Sequence, residues 1–339
     1  MRQHLIEEPG ELLGPDGSLL QKGYSTRGVL RYNRERIKAA PWKIKEWDFY
    51  QISNGRFCVQ LTIGHVSYAG TISVKAFEFA TGKHVEASNM LALPFNRLRM
   101  PASAEQGDLA YEGKNMRMRF ELSEGKRRLI CQANPANGPK VDIDLELSQP
   151  DRTAMVIATP FDERKSFFYY NHKINCMPAG GTAVVGDIAV KFNPRDAFGL
   201  LDWGRGVWPF RHEWYWGNGS GYVGGKRFGF NIGYGFGNTS AATENMLFYD
   251  GRAHKIGRVS FDLAGGGYMS RKSFTSDDGR FEMEFTPIYD HVTKTKLLFV
   301  DNCCHQVFGK FNGKAVLDDG KTIEVKDLVA FAEHAVNRW

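Results

Sequence analysis

The sequence lacks the features that would place it in several functional classes. No apolar run approaches the ~18 residues of a membrane-spanning helix. The opening stretch MRQHLIEEPGELL carries acidic residues and no apolar centre, so we expect no signal peptide. The five cysteines are scattered and include no CxxC pair, which indicates reduced thiols and a cytoplasmic protein.

Motifs for metals, cofactors and activated serines are also missing. There is no HxH or HExxH pair, and the serine of GNGSG is out of register for a GxSxG elbow. No glycine cluster has the strand-then-helix setting of a phosphate loop. The sequence therefore predicts no metal site and no cofactor.

The charge balance gives no strong indication of a partner. Forty-four basic against thirty-eight acidic residues leave a net charge of +6, which is mild for 339 residues and does not predict nucleic-acid binding. The densest basic run, Arg31 to Lys45, is interpreted as a solvated face, with a membrane-surface or nucleic-acid patch as the alternative.

What the sequence does contain is period-two alternation of apolar and polar residues. KVDIDLELS at 140–148 and RFEMEFTP at 280–287 are two examples, and turn signals such as Asp250-Gly251 separate such stretches. Short, closely spaced strands with one buried face are typical of antiparallel sandwiches and barrels. We therefore predict an all-β fold.

One stretch has the pattern of an amphipathic helix. In KDLVAFAEHAVNRW at the C-terminus, helical spacing places Leu328, Phe331, Ala332, Ala335 and Trp339 on one face. The length predicts two domains or one large one. The best candidate break lies at 193–196, which gives an N-terminal β domain at 1–195 and a C-terminal β domain with the terminal helix at 196–339.

Large rings and titratable groups are concentrated in DWGRGVWPFRHEWYWGNGSG at 202–221, which holds four of the seven tryptophans. Alternation places His212 beside Trp214 and Trp216, where a histidine could act as proton donor or base. Glu213 faces the other way, and Asp202 with Arg205 forms either a structural ion pair or a charged lip. The alternative is a hydrogen-bonded core histidine among core tryptophans.

The strand that follows, RFGFNIGYGFGN at 227–238, is almost bare on one side. Its apolar side carries Phe228, Phe230, Ile232, Tyr234 and Phe236, and its other side is mostly glycine. Either rings from elsewhere lie on that bare side, or it lines a cavity. A second cluster, FFYYNHKINCMPAGG at 167–181, has an aromatic body with polar tips supplied by Tyr169, Tyr170, Asn171, His172 and Lys173. A reactive Cys176 is a further hypothesis.

Several separated motifs resemble an uncharacterised family, a domain of unknown function found in bacteria and some fungi. They are YNR at 32–34, IKEWDFY at 44–50, YNHKINCMPAGG at 170–181, the tryptophan-rich stretch at 202–221, HQVFGKFNG at 305–313 and the terminal NRW. The resemblance extends over nearly the whole chain.

More distantly, HEWYWGNGSG with GFNIGYGFGN and ENMLFYDG resembles the AttH-like and carotenoid hydratase group. That resemblance implies two lipocalin-like antiparallel β-barrels or sandwiches in tandem, and an acidic residue that protonates a double bond. Arg211 stands where the group has aspartate, and Tyr215-Trp216 is an addition. Asp202, His212 and Glu213 are the residues of this chain that could act as the acid.

Three functions follow from these patterns. The first is binding of an apolar small molecule, such as a lipid, fatty acid or isoprenoid, in an aromatic pocket. The second is a cofactor-free hydratase, isomerase or cyclase acting on an alkene, and the third is a carbohydrate-binding or carbohydrate-active β protein. The expected ligand-contacting residues are Trp203, Arg205, Trp208, Trp214, Trp216, Phe230, Tyr234, Tyr170 and His172.

Overall fold

The computed structural model describes residues 3–297 and 300–339. Within these ranges the regular structure is β-strand, apart from 3-10 turns at Arg34–Arg36 and Pro41–Lys43. The all-β prediction is confirmed. None of the described helical segments is long and apolar enough to cross a membrane.

Fifteen strands precede residue 208. They are β1 (Gly10–Glu11), β2 (Gly23–Ser25), β3 (Leu30–Arg31), β4 (Lys45–Ser53), β5 (Phe57–His65), β6 (Ala69–Glu78), β7 (Lys83–Ala92), β8 (Leu109–Glu112), β9 (Met116–Ser123), β10 (Lys126–Ala133), β11 (Val141–Ser148), β12 (Met155–Pro160), β13 (Phe168–Val185), β14 (Ile188–Phe192) and β15 (Phe198–Val207). Strands β1 and β3 form a short parallel pair. The others form one antiparallel sheet in the order β7-β6-β5-β4-β15-β13-β11-β10-β9-β8, with β12 and β14 also paired to β13, and β2 to β12.

The later part of the described chain forms a second antiparallel sheet. Its strands are β16 (Arg211–Val223), β17 (Lys226–Tyr234), β18 (Met246–Tyr249), β19 (Arg252–Lys255), β20 (Val259–Ser260), β21 (Lys272–Ser276), β22 (Phe281–Leu297), β23 (Val300–Val316) and β24 (Thr322–Arg338). They are ordered β19-β18-β17-β16-β24-β23-β22-β21-β20. Two curled antiparallel sheets in tandem are the lipocalin-like arrangement expected from the sequence.

We call residues 3–207 the first unit and residues 211–297 with 300–339 the second unit. Strand β15 lies beyond residue 195 and pairs with β4 and β13 of the first sheet. The sheets therefore change between β15 and β16. The sequence-based domain boundary at residues 195 and 196 stays a prediction, because strand pairing alone does not define an independently folding domain.

Each unit has its own apolar core, and a smaller cluster lies between the units. Phe228, Phe230 and Ile232 belong to the second unit's core. Cys58, Phe77 and Leu200 of the first unit pack with Trp216, Phe308 and Phe331 of the second. One face of each sheet therefore packs against the core of its own unit, and the other face packs against the other unit of the same chain.

The predicted C-terminal helix is wrong, because residues 322–338 form strand β24. This strand pairs with β16 on one side and β23 on the other. Phe331 packs in the cluster between the units, whereas Ala332 belongs to the second unit's core. A strand buried on both faces reads as a near-continuous apolar run. Here two neighbouring strands supply backbone partners that outweigh the helix propensity of its alanines.

Replacing Phe230 with alanine tests its position in the core. Phe230 is fully buried and contacts Phe281 and Phe311 at centroid distances of 5.2 and 5.0 Å. We expect Phe230→Ala to lower the free energy of unfolding by about 3–5 kcal/mol, measured by denaturant titration. Tyr222→Ala, at a side chain 46% exposed, is the control and should cost clearly less. Equal losses would contradict the core assignment.

Candidate functional site

Two rows of cross-strand neighbours face each other between the units. In the first sheet, Thr62, Phe49, Asp202 and Lys173 are successive register partners across β5, β4, β15 and β13. In the second, Gly233, Trp216, Glu333 and Gln306 are partners across β17, β16, β24 and β23. Residues directly opposite each other share one face of an antiparallel sheet. The register therefore concentrates polar groups along two lines.

A pocket of about 240 Å³ lies where the two rows meet. From the first unit it is lined by Trp47, Phe49, Thr62, Tyr169, Lys173 and Asp202. From the second unit it is lined by Trp214, Trp216, Phe236, Glu244, Glu333 and Trp339. One water needs only about 10–15 Å³ of such volume, so the pocket can hold an organic molecule.

Lys173 is the centre of a buried charge cluster in the pocket wall. Its Nζ lies 3.3 Å from Asp202 Oδ2, 3.7 Å from Glu244 Oε2 and 3.9 Å from the centre of the Trp216 ring. The Asn171 amide donates to Asp202 Oδ1 at 2.6 Å. A buried ammonium needs such partners, and the indole face adds a cation–π contact. The cluster fixes two carboxylates beside an aromatic surface.

Glu333 is a third carboxyl group, held separately on the second sheet. The Trp214 indole N–H donates to its Oε1 at 2.7 Å, and the Gln306 amide donates to Oε2 at 3.1 Å. Burial raises the pKa of Glu333 above its usual value, and the nearby Asp202 charge acts in the same direction, against the Trp214 hydrogen bond and Lys173. Glu333 is thus shifted toward its neutral, proton-donating form.

Two glycines make room for the pocket's side chains. A Cβ at Gly233 would lie 2.4 Å from Glu244 Oε1, and a Cβ at Gly204 would lie 2.4 Å from the Trp47 ring. The bare side of β17 therefore accommodates Glu244 beside the pocket, while Gly229 on the same side approaches Cys176 of the first unit. At these two positions the bare side holds no ring from elsewhere: at Gly233 it faces a side chain that lines the pocket, and at Gly229 it packs against the first unit.

The aromatic wall is completed by residues outside the tryptophan-rich stretch. Strand β17 ends at Tyr234, and Gly235 and Gly237 adopt φ of +90° and +76°. This turn sends Phe236 against Tyr169 and Trp214, at centroid distances of 4.9 and 5.6 Å. Left-handed backbone at both positions favours glycine.

Three of the predicted site residues line the pocket: Asp202, Trp214 and Trp216. Others lie on the opposite face of the first sheet. Arg205 is fully buried and donates to Asp48 at 2.8 Å, and Tyr170 donates to the Leu30 carbonyl at 2.8 Å. Trp203 and His172 pack together there, at a centroid distance of 5.0 Å. Burial, with Arg205 second, lowers the pKa of His172 to about 3.

The remaining predicted residues surround the pocket or lie away from it. His212 stacks beside Trp214, with Nδ1 3.0 Å from the Pro209 carbonyl, and burial lowers its pKa to about 3. Glu213 is exposed and pairs with His334 at 2.7 Å. Trp208 lies behind the wall against Trp47 and Phe236.

Phe230 and Tyr234 belong to the second unit's own packing. Phe230 is in its core, and the Tyr234 hydroxyl donates to the Phe261 carbonyl. Neither side chain is among those that line the pocket.

The sequence identified Lys173 only as a polar tip of the second cluster, and it gave no indication of Glu244 and Glu333. Read as a strand, AFAEHAV places Glu333 on the same face as Phe331 and Ala335. A single carboxyl group on a buried face of a strand is uncommon and indicates a functional residue. The helical interpretation did not place Glu333 on the apolar face, so this indication was not seen. Among residues 3–297 and 300–339, no group of three or more His, Cys, Asp or Glu side chains is arranged to hold a metal ion.

The fold is similar to those of several solved structures, one of which is named as a hydratase. Kievitone hydratase from Nectria haematococca superposes with a TM-score of 0.54 at 10% identity, over 97% of this chain and 98% of that one. CghA solved with Sch210972 gives 0.52 at 11% identity, over 96% and 97%. A candidate AttH protein from Nitrosomonas europaea gives 0.51 at 12% identity, over 90% and 96%. At these identities the similarity shows the fold alone.

The sequence itself gives the family. The model for "Domain of unknown function (DUF2804)" matches residues 3–339, and the chain belongs to that family. The family resemblance stated from the motifs, and the more distant similarity to AttH-like and hydratase folds, are thereby confirmed. No curated protein matches the sequence.

The raised pKa of Glu333 makes a prediction about stability and pH. A carboxyl whose folded-state pKa exceeds its unfolded value leaves the folded state progressively less stable as pH rises past the unfolded value. The unfolding free energy of Glu333→Gln, relative to wild type, should therefore increase from about pH 5 to about pH 8. Glu324→Gln, at an exposed position of the same strand, should show no such increase. Parallel pH profiles for Glu333→Gln and wild type would contradict the assignment.

Filling the space at Gly233 should disturb the charge cluster. In Gly233→Ala the new Cβ would displace the Glu244 carboxylate, which accepts a hydrogen bond from the Asn231 amide and pairs with Lys173. We expect a loss of about 1–3 kcal/mol in unfolding free energy, measured by denaturant titration. Gly55→Ala is the control, because a Cβ there meets no atom within 4 Å. A fully stable Gly233→Ala would show that Glu244 is not held in place.

Proposed function

We propose that this protein binds an apolar, unsaturated small molecule between its two β units and adds a proton to it, as a hydratase, isomerase or cyclase does. The observation that carries the proposal is that two carboxyl groups, one from each of two facing sheets, line the same aromatic pocket. Glu333 comes from β24 and Asp202 from β15, and both line the cavity. One group is favoured as the neutral acid, and the other is paired with a lysine.

The pocket walls support an apolar ligand. The rings of Trp47, Tyr169, Trp214, Phe236 and Trp339 supply most of the lining that is not charged. Small-molecule sites are typically apolar concavities with a few placed polar groups. A flat conjugated or aromatic ligand matches such walls, and ring faces also stabilise cationic character that develops on protonation.

Glu333 supplies the proton in the proposed reaction. A general acid works best when its pKa lies near the operating pH, and burial moves Glu333 in that direction. The Trp214 and Gln306 donors hold the carboxyl group and stabilise the carboxylate left behind when the proton goes to a ligand carbon. Trp214 is therefore both a wall of the pocket and a partner of the acid.

Asp202 completes the chemistry for hydration. Water adds its oxygen to the second alkene carbon, and the Asp202 carboxylate takes the proton that this water loses. The positive charge of Lys173, whose Nζ lies 3.3 Å from Asp202 Oδ2, compensates the negative charge of the Asp202 carboxylate. The net change is alkene plus water to alcohol once Asp202 has returned its proton through solvent to Glu333. In an isomerisation or cyclisation no water adds, and Asp202 would instead take a proton from a ligand carbon. Kievitone hydratase shares the fold and by its name adds water, which supports this class of reaction.

The first test identifies the ligand. Small molecules released from purified native protein should include an apolar compound with a carbon–carbon double bond, detected by mass spectrometry. Its abundance should fall in Trp216→Ala, which removes a wall of the pocket, and remain in Tyr222→Ala, which alters an exposed ring elsewhere. Recovery of sugars alone would favour a carbohydrate protein and would overturn the proposal.

The second test separates catalysis from binding. Incubation of the ligand with the protein in D₂O should place deuterium on carbon, with or without a mass gain of one water. Because a general acid contributes roughly 10²–10⁴-fold, Glu333→Gln should lower the rate by at least about 10²-fold. Its affinity for the ligand should change only a few-fold. Glu324→Gln is the control, and full activity in Glu333→Gln would exclude Glu333 as the proton donor.

A further inference from the structure

A second pocket of about 400 Å³ lies on the outer side of the aromatic wall. Its lining is mostly aromatic, and Lys43 and Lys45 supply its amino groups. The aromatic residues are Trp42, Tyr68, Phe167, Trp208, Phe210 and Trp339. We call the pocket between the two units the inner pocket and this second one the outer pocket. Of the residues that line the outer pocket, only Trp339 also lines the inner pocket, so the two cavities lie on either side of one indole. Trp42 is 57% exposed, which leaves this outer pocket accessible from its side.

Lys45 is an unusual side chain for such a place. Only 3% of the residue is exposed, yet no salt bridge among the described residues includes its amino group, and no acidic side chain contributes to the shift of its pKa. The Nζ makes long contacts to the carbonyls of Lys43 and Trp208, at 3.3 and 3.5 Å. It lies 4.9 Å from the Trp208 ring and 5.7 Å from the Trp339 ring.

The charges around Lys45 leave a place for an anion. A buried ammonium without a counter-ion is costly, and the burial, with Lys43 second, lowers its pKa to about 7. The neighbouring Lys43 contributes a second amino group over the Phe167 ring, at 5.9 Å. An anion beside Lys45 would stabilise its charged form, while the surrounding rings would exclude water from the pair.

We propose that the outer pocket is a second binding site, for a small apolar carboxylate. Its ring or short chain would lie against Trp42 and Trp339, and its carboxylate would pair with the Lys45 ammonium. The basic run at 31–45 was interpreted from the sequence as a solvated face, but its last residue, Lys45, is buried and in this proposal binds the carboxylate. This site uses none of the carboxyl groups of the inner pocket and does not depend on the proposed reaction.

The test compares two probes that differ in charge. Naphthalene-2-carboxylate and the neutral alcohol 2-naphthylmethanol are titrated into the full chain by calorimetry at pH 6, where Lys45 is mostly protonated. Wild type should bind the carboxylate roughly tenfold more tightly or better. Lys45→Met keeps the length of the side chain and should abolish that preference. Lys326→Met, at an exposed lysine, is the matched control and should retain it.

Two further variants locate the site. Trp42→Ala removes an exposed ring of the outer pocket, so folding should be preserved, and both probes should bind several-fold more weakly. Lys173→Met removes the amino group of the inner pocket and should leave the preference for the carboxylate intact. Equal affinity for the two probes in wild type, a preference that survives Lys45→Met, or one lost only in Lys173→Met would overturn the proposal.

Discussion

The register between neighbouring strands is the constraint on which the site depends. Lys173 stands opposite Asp202 because β13 and β15 pair in one alignment, and Glu333 stands between Trp216 and Gln306 for the same reason. A slip of one residue would turn each of these side chains into its unit's own apolar core. The large cores on the far faces of both sheets hold the register, and thereby hold the polar rows.

Burial between the sheets gives the polar groups their chemical character. The carboxyl groups of Asp202 and Glu333 have fixed partners: Asn171 and Lys173 for Asp202, and Trp214 and Gln306 for Glu333. Gln306 in turn receives a hydrogen bond from Gln60 of the first unit at 2.6 Å, so the acid is tied to both units. Such pre-organised groups need little rearrangement when charge moves during a reaction.

The fold was predictable to a larger extent than the site. Alternation at 140–148 and 280–287 follows from local burial on one face, and these segments are strands β11 and β22. Alternation fails for β24, where both faces are buried, and the helix predicted there does not form. The same error hid Glu333. Asp202, Trp214 and Trp216, which line the pocket, could be proposed because a cluster of aromatic and acidic residues is visible in the sequence. Glu244 lies in an ordinary loop sequence. Nothing in the sequence distinguishes Trp203, which is fully buried in the first unit, from the tryptophans that line the pocket.

The sequence by itself determined the strands with one wet face, the family, and the concentration of rings and acids around residues 202–221. These are properties of neighbouring residues, and local patterning suffices to express them. The tertiary structure decided which rings border a cavity and which carboxyl group has its pKa raised by burial. The border of the cavity and the raised pKa of Glu333 both depend on groups from distant strands, such as Asp202 and Glu333, lying close together across two sheets, which no local pattern determines.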